Sequence, residues 1–237
     1  MKVFIDAGHN FNKWNTGAEG SGLKEQDITF AIAKKLGDLL ASKGIEIKLS
    51  RPTLETNLGT DNASSINARY TMANNWGADY FISIHTNAGG GTGAETLYFK
   101  KDSKDYAKVI QENYIKAIVL ADRGVKYRDD VGVLINTKMP AVLIETGFID
   151  NKTDAELLKN HQSEIAQAIA NGFYEFLGIK EDVEMRYNTL AEVPDWAKAT
   201  ISKLIDKKLL TGDGNKLDLS LDMIRIFVIN DRAGLYG

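Results

Sequence analysis

The sequence predicts an α/β fold, with a mostly parallel or mixed sheet sandwiched between helices and followed by a small all-α C-terminal domain. Short apolar runs typical of buried strands alternate with longer segments in which apolar residues recur at helical spacing. Three of the strand-like runs are followed by a histidine or a glutamate. Residues 80–84 and 141–144 immediately precede His85 and Glu145, and residues 3–5 are followed by His9 after a short turn at Gly8. Because ligands bind at the carboxyl edge of open α/β sheets, we expect these three side chains to meet there.

Three strands and two helices are predicted in the first 85 residues. Gly8 lets the backbone turn without a Cβ penalty, so His9 is delivered at the end of the first strand. A polar loop follows over residues 10–24, and apolar residues at helical spacing then predict a helix that begins at Glu25. The later elements are a strand over 45–49, a helix over 64–76 and a strand over 80–85.

The segment that follows continues the alternation of strands and helices. Interleaved polar and apolar residues over 95–100 are typical of an edge strand. Two further strands are predicted over 131–135 and 141–145, joined by a turn that contains Pro140. Helices are predicted over residues 106–118, 154–158 and 163–177.

The chain is expected to form two domains. Residues 1–178 contain all the predicted strands, and residues 179–184 are charged and polar, as expected of a linker. Residues 185–237 contain two amphipathic helices, over 196–210 and 221–228, separated by a turn-rich stretch. The apolar side chains predicted to form the core of this helical hairpin are Met223, Ile224, Phe227 and Val228.

Composition excludes several classes of protein. The net charge of −3 and the absence of a basic cluster argue against a nucleic-acid partner. The chain has no cysteine, so a metal would be held by imidazole and carboxylate groups. No run reaches the roughly 18 apolar residues needed to cross a membrane. Met1 and Lys2 lead directly into the first strand, so we expect no signal peptide and synthesis in the cytoplasm.

Two histidines and one or two carboxylates on separate elements are the components of a catalytic zinc site, which uses three protein ligands and leaves a position for water. His9 and His85 supply two ligands, and Glu25 is the best candidate for the third. The alternative for Glu25 is an acid favoured by the helix dipole, and from its position alone that interpretation is the better one. Glu145 ends an apolar strand, where a carboxylate is costly unless it is paired or coordinates a metal. The third histidine, His161, is predicted to lie on the surface.

Several short motifs occur in a fixed order along residues 1–178. They are GH at 8–9, TGA at 16–18 followed by Glu25, LSR at 49–51, Arg69 followed by AN at 73–74, GAD at 77–79, SIHTNA at 83–88 and PAVLIETGFIDN at 140–151. Together they resemble the signature blocks of bacterial zinc-dependent N-acetylmuramoyl-L-alanine amidases of the type 3 amidase family. Asn10 and Asn15 depart from the family pattern, which often has Gly and Asp at these positions.

The resemblance implies a peptidoglycan hydrolase that cleaves the amide between the lactyl group of N-acetylmuramic acid and L-alanine of the stem peptide. His9, Glu25 and His85 match the zinc ligands, and Glu145 matches the catalytic glutamate that takes a proton from the zinc-activated water and returns it to the leaving amine. Arg69 and Asn87 are candidates to contact substrate or to support the ligands. The equally good alternatives are a surface salt bridge for Arg69 and a turn role for Asn87.

Some family members carry a helical insertion after the second histidine that plugs the site. Here residues 87–95 form a short glycine-rich turn, which predicts an open site.

The C-terminal segment loosely resembles a single S-layer-homology unit, a type of module associated with binding secondary wall polymers. A two-helix unit of this size buries little surface alone, so it is expected to dock on the catalytic domain or to form a homodimer.

The amidase motifs, the extra module and the expected lack of a signal peptide together suggest a phage or prophage endolysin that acts on bacterial peptidoglycan after membrane permeabilisation. The alternatives are a host autolysin or sporulation amidase, a non-catalytic wall-binding protein, and a different zinc amidohydrolase or peptidase.

Overall fold

A computed structural model describes residues 1–179, 186–212 and 216–237. The chain forms two compact units, Met1–Lys180 and Glu181–Gly237. The domain limits given above, 1–178 and 185–237, stay predictions, and most of the linker predicted over 179–184 lies outside the described residues. Within the described part, no helix combines the length and apolar composition needed to cross a membrane.

The first unit is built around one mixed sheet. Its strands, among the described residues, are β1 (Lys2–Ala7), β4 (Glu46–Leu49), β5 (Tyr80–Asn87), β6 (Ala94–Tyr98), β7 (Asp122–Tyr127) and β8 (Ala141–Phe148). They hydrogen-bond in the order β4-β1-β5-β8-β6-β7. Every neighbouring pair is parallel except β6 and β8, which confirms the mostly parallel sheet. A short hairpin of β2 (Glu19–Gly20) and β3 (Leu23–Lys24) lies in the loop after β1.

Helices cover both faces of this sheet. They are α1 (Glu25–Ser42), α2 (Asn62–Trp76), α3 (Lys104–Ala117), α4 (Gly132–Asn136), α5 (Lys152–Asn160) and α6 (Gln162–Leu177). Side chains alternate along β1, so Val3 and Ile5 join the core under α1, α3 and α6, whereas Phe4 joins the core under α2 and α4. Burying one such side chain contributes about 1.5–3 kcal/mol, which fixes the register of the strand.

The segment 131–135 was predicted to be a strand, and that prediction is wrong. It forms the start of α4, whose Val133 and Leu134 are buried against α2 rather than in the sheet. A short apolar run fits a buried strand and a buried helical turn equally well, because periodicity cannot separate them over five residues. The tertiary context decides the outcome, since Gly132 packs against Ile66 of α2.

The segment 95–100 was predicted to be an edge strand; the strand is confirmed as β6, but its predicted place at the edge is wrong. The observed strand β6 lies inside the sheet between β8 and β7. The edge strand on this side of the sheet is β7, which the sequence did not predict because its residues, DRGVKY, are mostly polar and lack an alternating apolar pattern. Because the backbone of β7 pairs with β6, the strand forms without burying its polar side chains, which stay near the surface.

The second unit contains α7 (Asp195–Asp206) and α8 (Leu221–Arg232), together with the two short antiparallel strands β9 (Arg186–Tyr187) and β10 (Leu219–Ser220). The two helices are as predicted, whereas the sequence did not predict the short strands. Ile224 and Val228 are buried in the core of this unit, and Phe227 packs against it. Met223, which was predicted to belong to the core, is exposed because it lies on the outer side of α8.

Two buried tyrosines on α3 offer a matched test of how the core tolerates hydroxyl groups. The Tyr114 hydroxyl donates to the Thr146 carbonyl at 2.6 Å, whereas the Tyr106 hydroxyl is buried with no partner among the described residues. We expect Tyr114→Phe to lower the free energy of unfolding by about 1 kcal/mol and Tyr106→Phe to leave it unchanged or raise it. Urea unfolding measures both values, and equal losses in the two variants would contradict the assignment.

Candidate active site

His9 lies just beyond the end of β1 in a left-handed backbone conformation with φ of 68°. Arg69 of α2 binds the backbone here, because its guanidinium donates to the carbonyl of Ala7 at 2.6 Å and to that of His9 at 2.5 Å. The His9 ring is oriented by Asn15, whose Oδ1 lies 3.0 Å from Nδ1. This contact turns Nε2, the other ring nitrogen, toward the site.

Glu25 is the first residue of α1, and its carboxylate joins the two histidines. Oε1 lies 3.0 Å from Nε2 of His9 and 3.1 Å from Nδ1 of His85. The backbone N–H of Thr86 donates to Oε1 and that of Ala18 donates to Oε2. Burial alone would raise the pKa of Glu25, but the hydrogen bonds to His85 and His9 outweigh it and hold the pKa well below its usual range.

His85 lies on β5, next to β1, and its ring packs over Gly8. A Cβ atom at Gly8 would lie 2.6 Å from Cε1 and Nε2 of His85, so only glycine leaves room for the ring. The rings of His9 and His85 have centroids 4.7 Å apart and meet edge to face. The glycine that precedes His9 in the sequence therefore makes space for the second histidine.

One nitrogen of His9, one of His85 and one carboxylate oxygen of Glu25 all lie within 4.8 Å of one another. Among the described residues, this is the group of histidine and acidic side chains arranged to hold a metal ion. Two ligands of a tetrahedral zinc ion with bonds of about 2.0–2.1 Å lie about 3.3 Å apart, close to the separations of Glu25 from the two rings. Two imidazoles and a carboxylate would suit such an ion and would leave its fourth position open.

Glu145 lies on β8 directly opposite His85 of β5 in the strand register. Its Oε2 is buried and has no hydrogen-bond partner in the described part of the chain. Burial, reinforced by the nearby carboxylates of Glu25 and Glu95, raises the pKa of Glu145 to about 8. A carboxyl group with a pKa near neutrality can both accept and donate a proton under physiological conditions.

Glu95 of β6 lies opposite Glu145 on the other side of β8, so His85, Glu145 and Glu95 form a row across three neighbouring strands. Its Oε2 pairs with Arg123 at 2.6 Å and with Lys126 at 2.5 Å. Asn87, at the end of β5, places its amide nitrogen 3.5 Å from the other Glu95 oxygen. Asn87 therefore lies at the rim of the site. The carboxylate beside it, that of Glu95, was not identified as a candidate site residue from the sequence.

Arg69 is almost fully buried and forms an ion pair with Asp6 at 2.6 Å, so it is not part of a surface salt bridge. Arg51 adds a second buried guanidinium that donates to the Gly8 carbonyl at 3.1 Å. Together, the two arginines fix the backbone on both sides of His9. Support of the ligands was one of the roles predicted for Arg69, whereas the contacts of Arg51 and Asn15 were not predicted, because a polar residue in a loop carries no signal of what it will contact.

A cavity of about 160 Å³ opens beside the rings of His9 and His85. Part of its wall is formed by Val131, Gly132 and Val133, the segment for which a strand was predicted. The side chain of His161 is exposed and pairs with Glu164, as expected of a surface histidine.

The connection between β5 and β6 runs from Ala88 to Gly93 without a helix among its residues. Two aspartates hold this loop: Asp150 accepts the backbone N–H groups of Gly89 and Gly90, and the buried Asp154 accepts that of Gly93. No helical plug is therefore formed by this loop, as the short glycine-rich turn predicted.

Comparisons with known proteins agree with this arrangement. Residues 3–175 match the family described as N-acetylmuramoyl-L-alanine amidase. The chain is 38% identical over 188 residues to the sporulation-specific N-acetylmuramoyl-L-alanine amidase of Bacillus subtilis (strain 168), covering 76% of this chain and 70% of that protein. It is also 38% identical over 191 residues to the endolysin of Bacillus phage SPP1, covering 76% of this chain and 67% of the endolysin.

A solved structure extends the similarity to the fold. The CwlD amidase from Clostridioides difficile, solved in complex with the GerS lipoprotein, superposes with a TM-score of 0.70 at 32% identity, covering 76% of this chain and 99% of that one. The range matched to the family, residues 3–175, contains His9, Glu25, His85 and Glu145. On this sequence match and this fold, the chain belongs to the N-acetylmuramoyl-L-alanine amidase family.

Proposed function

We propose that this chain is a zinc-dependent hydrolase of bacterial peptidoglycan that cleaves the amide between N-acetylmuramic acid and L-alanine of the stem peptide. The observation that carries the proposal is the convergence of His9, Glu25 and His85 within 4.8 Å, with the unpartnered carboxyl group of Glu145 on the neighbouring strand. Membership of the amidase family supports the choice of bond.

Zinc is the metal proposed because two imidazoles and one carboxylate suit it and the chain has no cysteine. When bound, zinc supplies Lewis acidity, which lowers the pKa of water and polarises a carbonyl group. The chain itself holds the proposed ligands in position. Asn15 orients the His9 ring, and Arg69 holds the backbone that carries it.

Glu145 is proposed to move the protons of the reaction. Its carboxylate accepts a proton from the attacking water and then donates that proton to the nitrogen of the leaving alanine, so that one residue acts first as base and then as acid. The raised pKa of about 8 suits both steps, because the group is neither too weak a base nor too weak an acid near neutral pH. Asn87 at the rim is proposed to contact the substrate.

Removing the metal provides the test of this function. The full chain should reduce the turbidity of a Gram-positive cell-wall suspension and release new L-alanine amino termini without new reducing sugars. A chelator should abolish this activity, and added zinc should restore it. Activity that survives complete removal of bound metal, or reducing sugars in place of amino termini, would contradict the proposal.

The biological setting proposed is a phage or prophage endolysin, made in the cytoplasm and released to the wall after membrane permeabilisation. The similarity to the endolysin of phage SPP1 supports it. The second candidate is a host autolysin or sporulation amidase, favoured by the equal identity to the sporulation-specific amidase. The protein should appear after prophage induction in the first case and in sporulating cells in the second, and an antibody against the chain distinguishes the two.

The C-terminal unit is proposed to bind the cell wall, through a secondary wall polymer or as a homodimer that engages two sites. A chain that ends at Lys180 should hydrolyse soluble muramoyl peptides at the rate of the full chain but sediment less with intact walls. Cosedimentation with purified walls measures the second effect, and sedimentation equilibrium of the full chain measures its oligomeric state. Equal cosedimentation of the two chains would contradict the targeting role.

A further inference from the structure

Two cations on the edge strand β7 share a single carboxylate. Nε of Arg123 and Nζ of Lys126 both bind the same oxygen, Oε2 of Glu95, at 2.6 Å and 2.5 Å. These hydrogen bonds hold the pKa of Glu95 below its usual range although partial burial acts to raise it. Glu95 therefore carries one negative charge against two positive charges, and the cluster has a surplus charge of about +1.

The cluster belongs to the face of the sheet that carries the active site. His85, Glu145 and Glu95 lie opposite one another on β5, β8 and β6, so their side chains point to the same face. Lys126 lies opposite Leu97, which is on the same face of β6 as Glu95. Neighbouring strands are about 4.8 Å apart, so the backbone of β7 lies about 10 Å from Glu145 across the sheet.

Both cations are held in place and still reach solvent. The guanidinium of Arg123 stacks on the Phe148 ring at 4.9 Å, which fixes its plane. Arg123 binds Glu95 through Nε, and the described residues offer no acceptor to its two terminal nitrogens. The side chains of Arg123 and Lys126 are 34% and 39% exposed. A planar guanidinium with unused parallel donors is suited to bind a carboxylate.

The opposite side of the site differs in character. There, the cavity beside His9 and His85 is lined by the apolar Ile66, Val131 and Val133, and the two oppositely charged residues in its wall, Asp6 and Arg69, pair with each other. Charge complementarity therefore directs an anionic part of a substrate toward β7 and an uncharged part toward α4. A purely structural ion pair would need only one cation for Glu95, and the second would be surplus.

We propose that Arg123 and Lys126 bind a free carboxylate on the peptide side of the substrate, carried by the residue that follows the alanine. This inference rests on the proposed function, because it extends the same site. An extended peptide spans about 3.3–3.6 Å per residue, so the second residue lies about 7 Å from the bond that is cleaved. Arg123 and Lys126 reach inward from β7 to the carboxylate of Glu95, which lies opposite Glu145 in the strand register, so their charges lie on the side of β7 that faces Glu145.

The test uses two synthetic N-acetylmuramoyl-L-alanyl peptides that differ only at the second residue, with a free α-carboxylate in one and a carboxamide in the other. The zinc-loaded full chain should have a kcat/KM about 10-fold or more higher for the carboxylate. Arg123→Gln and Lys126→Gln should each move this ratio toward one, while each still leaves Glu95 one cation. The exposed Lys108 of α3 provides the control, because Lys108→Gln should keep the wild-type ratio.

Equal kcat/KM values for the two peptides in the wild-type chain would overturn the inference while leaving the proposed function intact. The inference would also fail if both β7 variants lost thermal stability but kept the wild-type ratio, since that is the behaviour of a structural ion pair. If neither peptide were hydrolysed, the proposed function would fail. Titration by NMR with the two corresponding alanyl dipeptides would then decide the inference by whether the carboxylate form binds more tightly.

Discussion

Glu145→Gln is expected to lower kcat by about 10²- to 10⁴-fold, the range associated with loss of a general acid–base group. Glutamine has nearly the same shape as glutamate but cannot accept and return a proton at pH 7. KM should change little, because the change removes a proton carrier rather than a substrate contact. Steady-state hydrolysis of a muramoyl peptide measures both constants.

The fold and the metal site should survive this change. Oε2 of Glu145 has no partner in the described part of the chain, so no hydrogen bond is lost there, and the neutral amide replaces a carboxyl group that burial keeps mostly protonated at pH 7. The melting temperature should therefore be equal to or higher than that of the wild type, and the zinc content should be unchanged. Glu112→Gln on the exposed face of α3 is the matched control and should keep wild-type kcat. Near wild-type turnover in Glu145→Gln would exclude Glu145 as the proton carrier.

The sequence predicted the centre of the sheet and its β4 edge better than its β7 edge. The strands β1, β5 and β8 are buried between two helical layers. Their sequences therefore contain continuous apolar runs, which are readily identified as strands. The edge strand β7 has no such constraint, because hydrogen bonds to β6 hold it and its side chains stay solvated. The apolar segment of α4 was assigned to the sheet for the converse reason, since burial alone does not specify whether a short run is a strand or a helical turn.

The candidate site divides in the same way. The grouping of His9, Glu25 and His85 follows from the parallel order of β1 and β5 together with the position of Glu25 at the start of α1. The neighbours of Glu145 could not be predicted in this manner. The contact between Glu95 and Glu145 exists because β6 inserts antiparallel beside β8, and the cations of β7 reach Glu95 only because β7 then pairs with β6. The order in which strands pair near the edge of a sheet is set by the whole fold, so local sequence patterns do not predict it.

Gly17→Ala is expected to reduce zinc affinity by about 10-fold or more, the loss that follows when support for metal ligands is disturbed. Gly17 has φ of +80°, and a Cβ atom there would lie 2.6 Å from Oε2 of Glu25 and 2.7 Å from the His9 ring. Both neighbours are candidate ligands, so relief of the clash must move at least one of them. Competition with a fluorescent chelator measures the affinity, and kcat/KM at limiting zinc should fall in parallel.

Gly22 separates the clash from the backbone strain. It lies in the same loop, in the turn between β2 and β3, with φ of +76°, but a Cβ atom there meets nothing within 4 Å. The left-handed backbone costs both alanine variants about 1–2 kcal/mol, so both should lose stability in urea unfolding, and Gly17→Ala should lose more because its methyl group also clashes. Only Gly17→Ala should also lose zinc affinity, because only its methyl group enters the space between His9 and Glu25. If the two variants bound zinc equally well, the close approach of Gly17 would have no part in shaping the metal site, and the TGA motif would need another explanation.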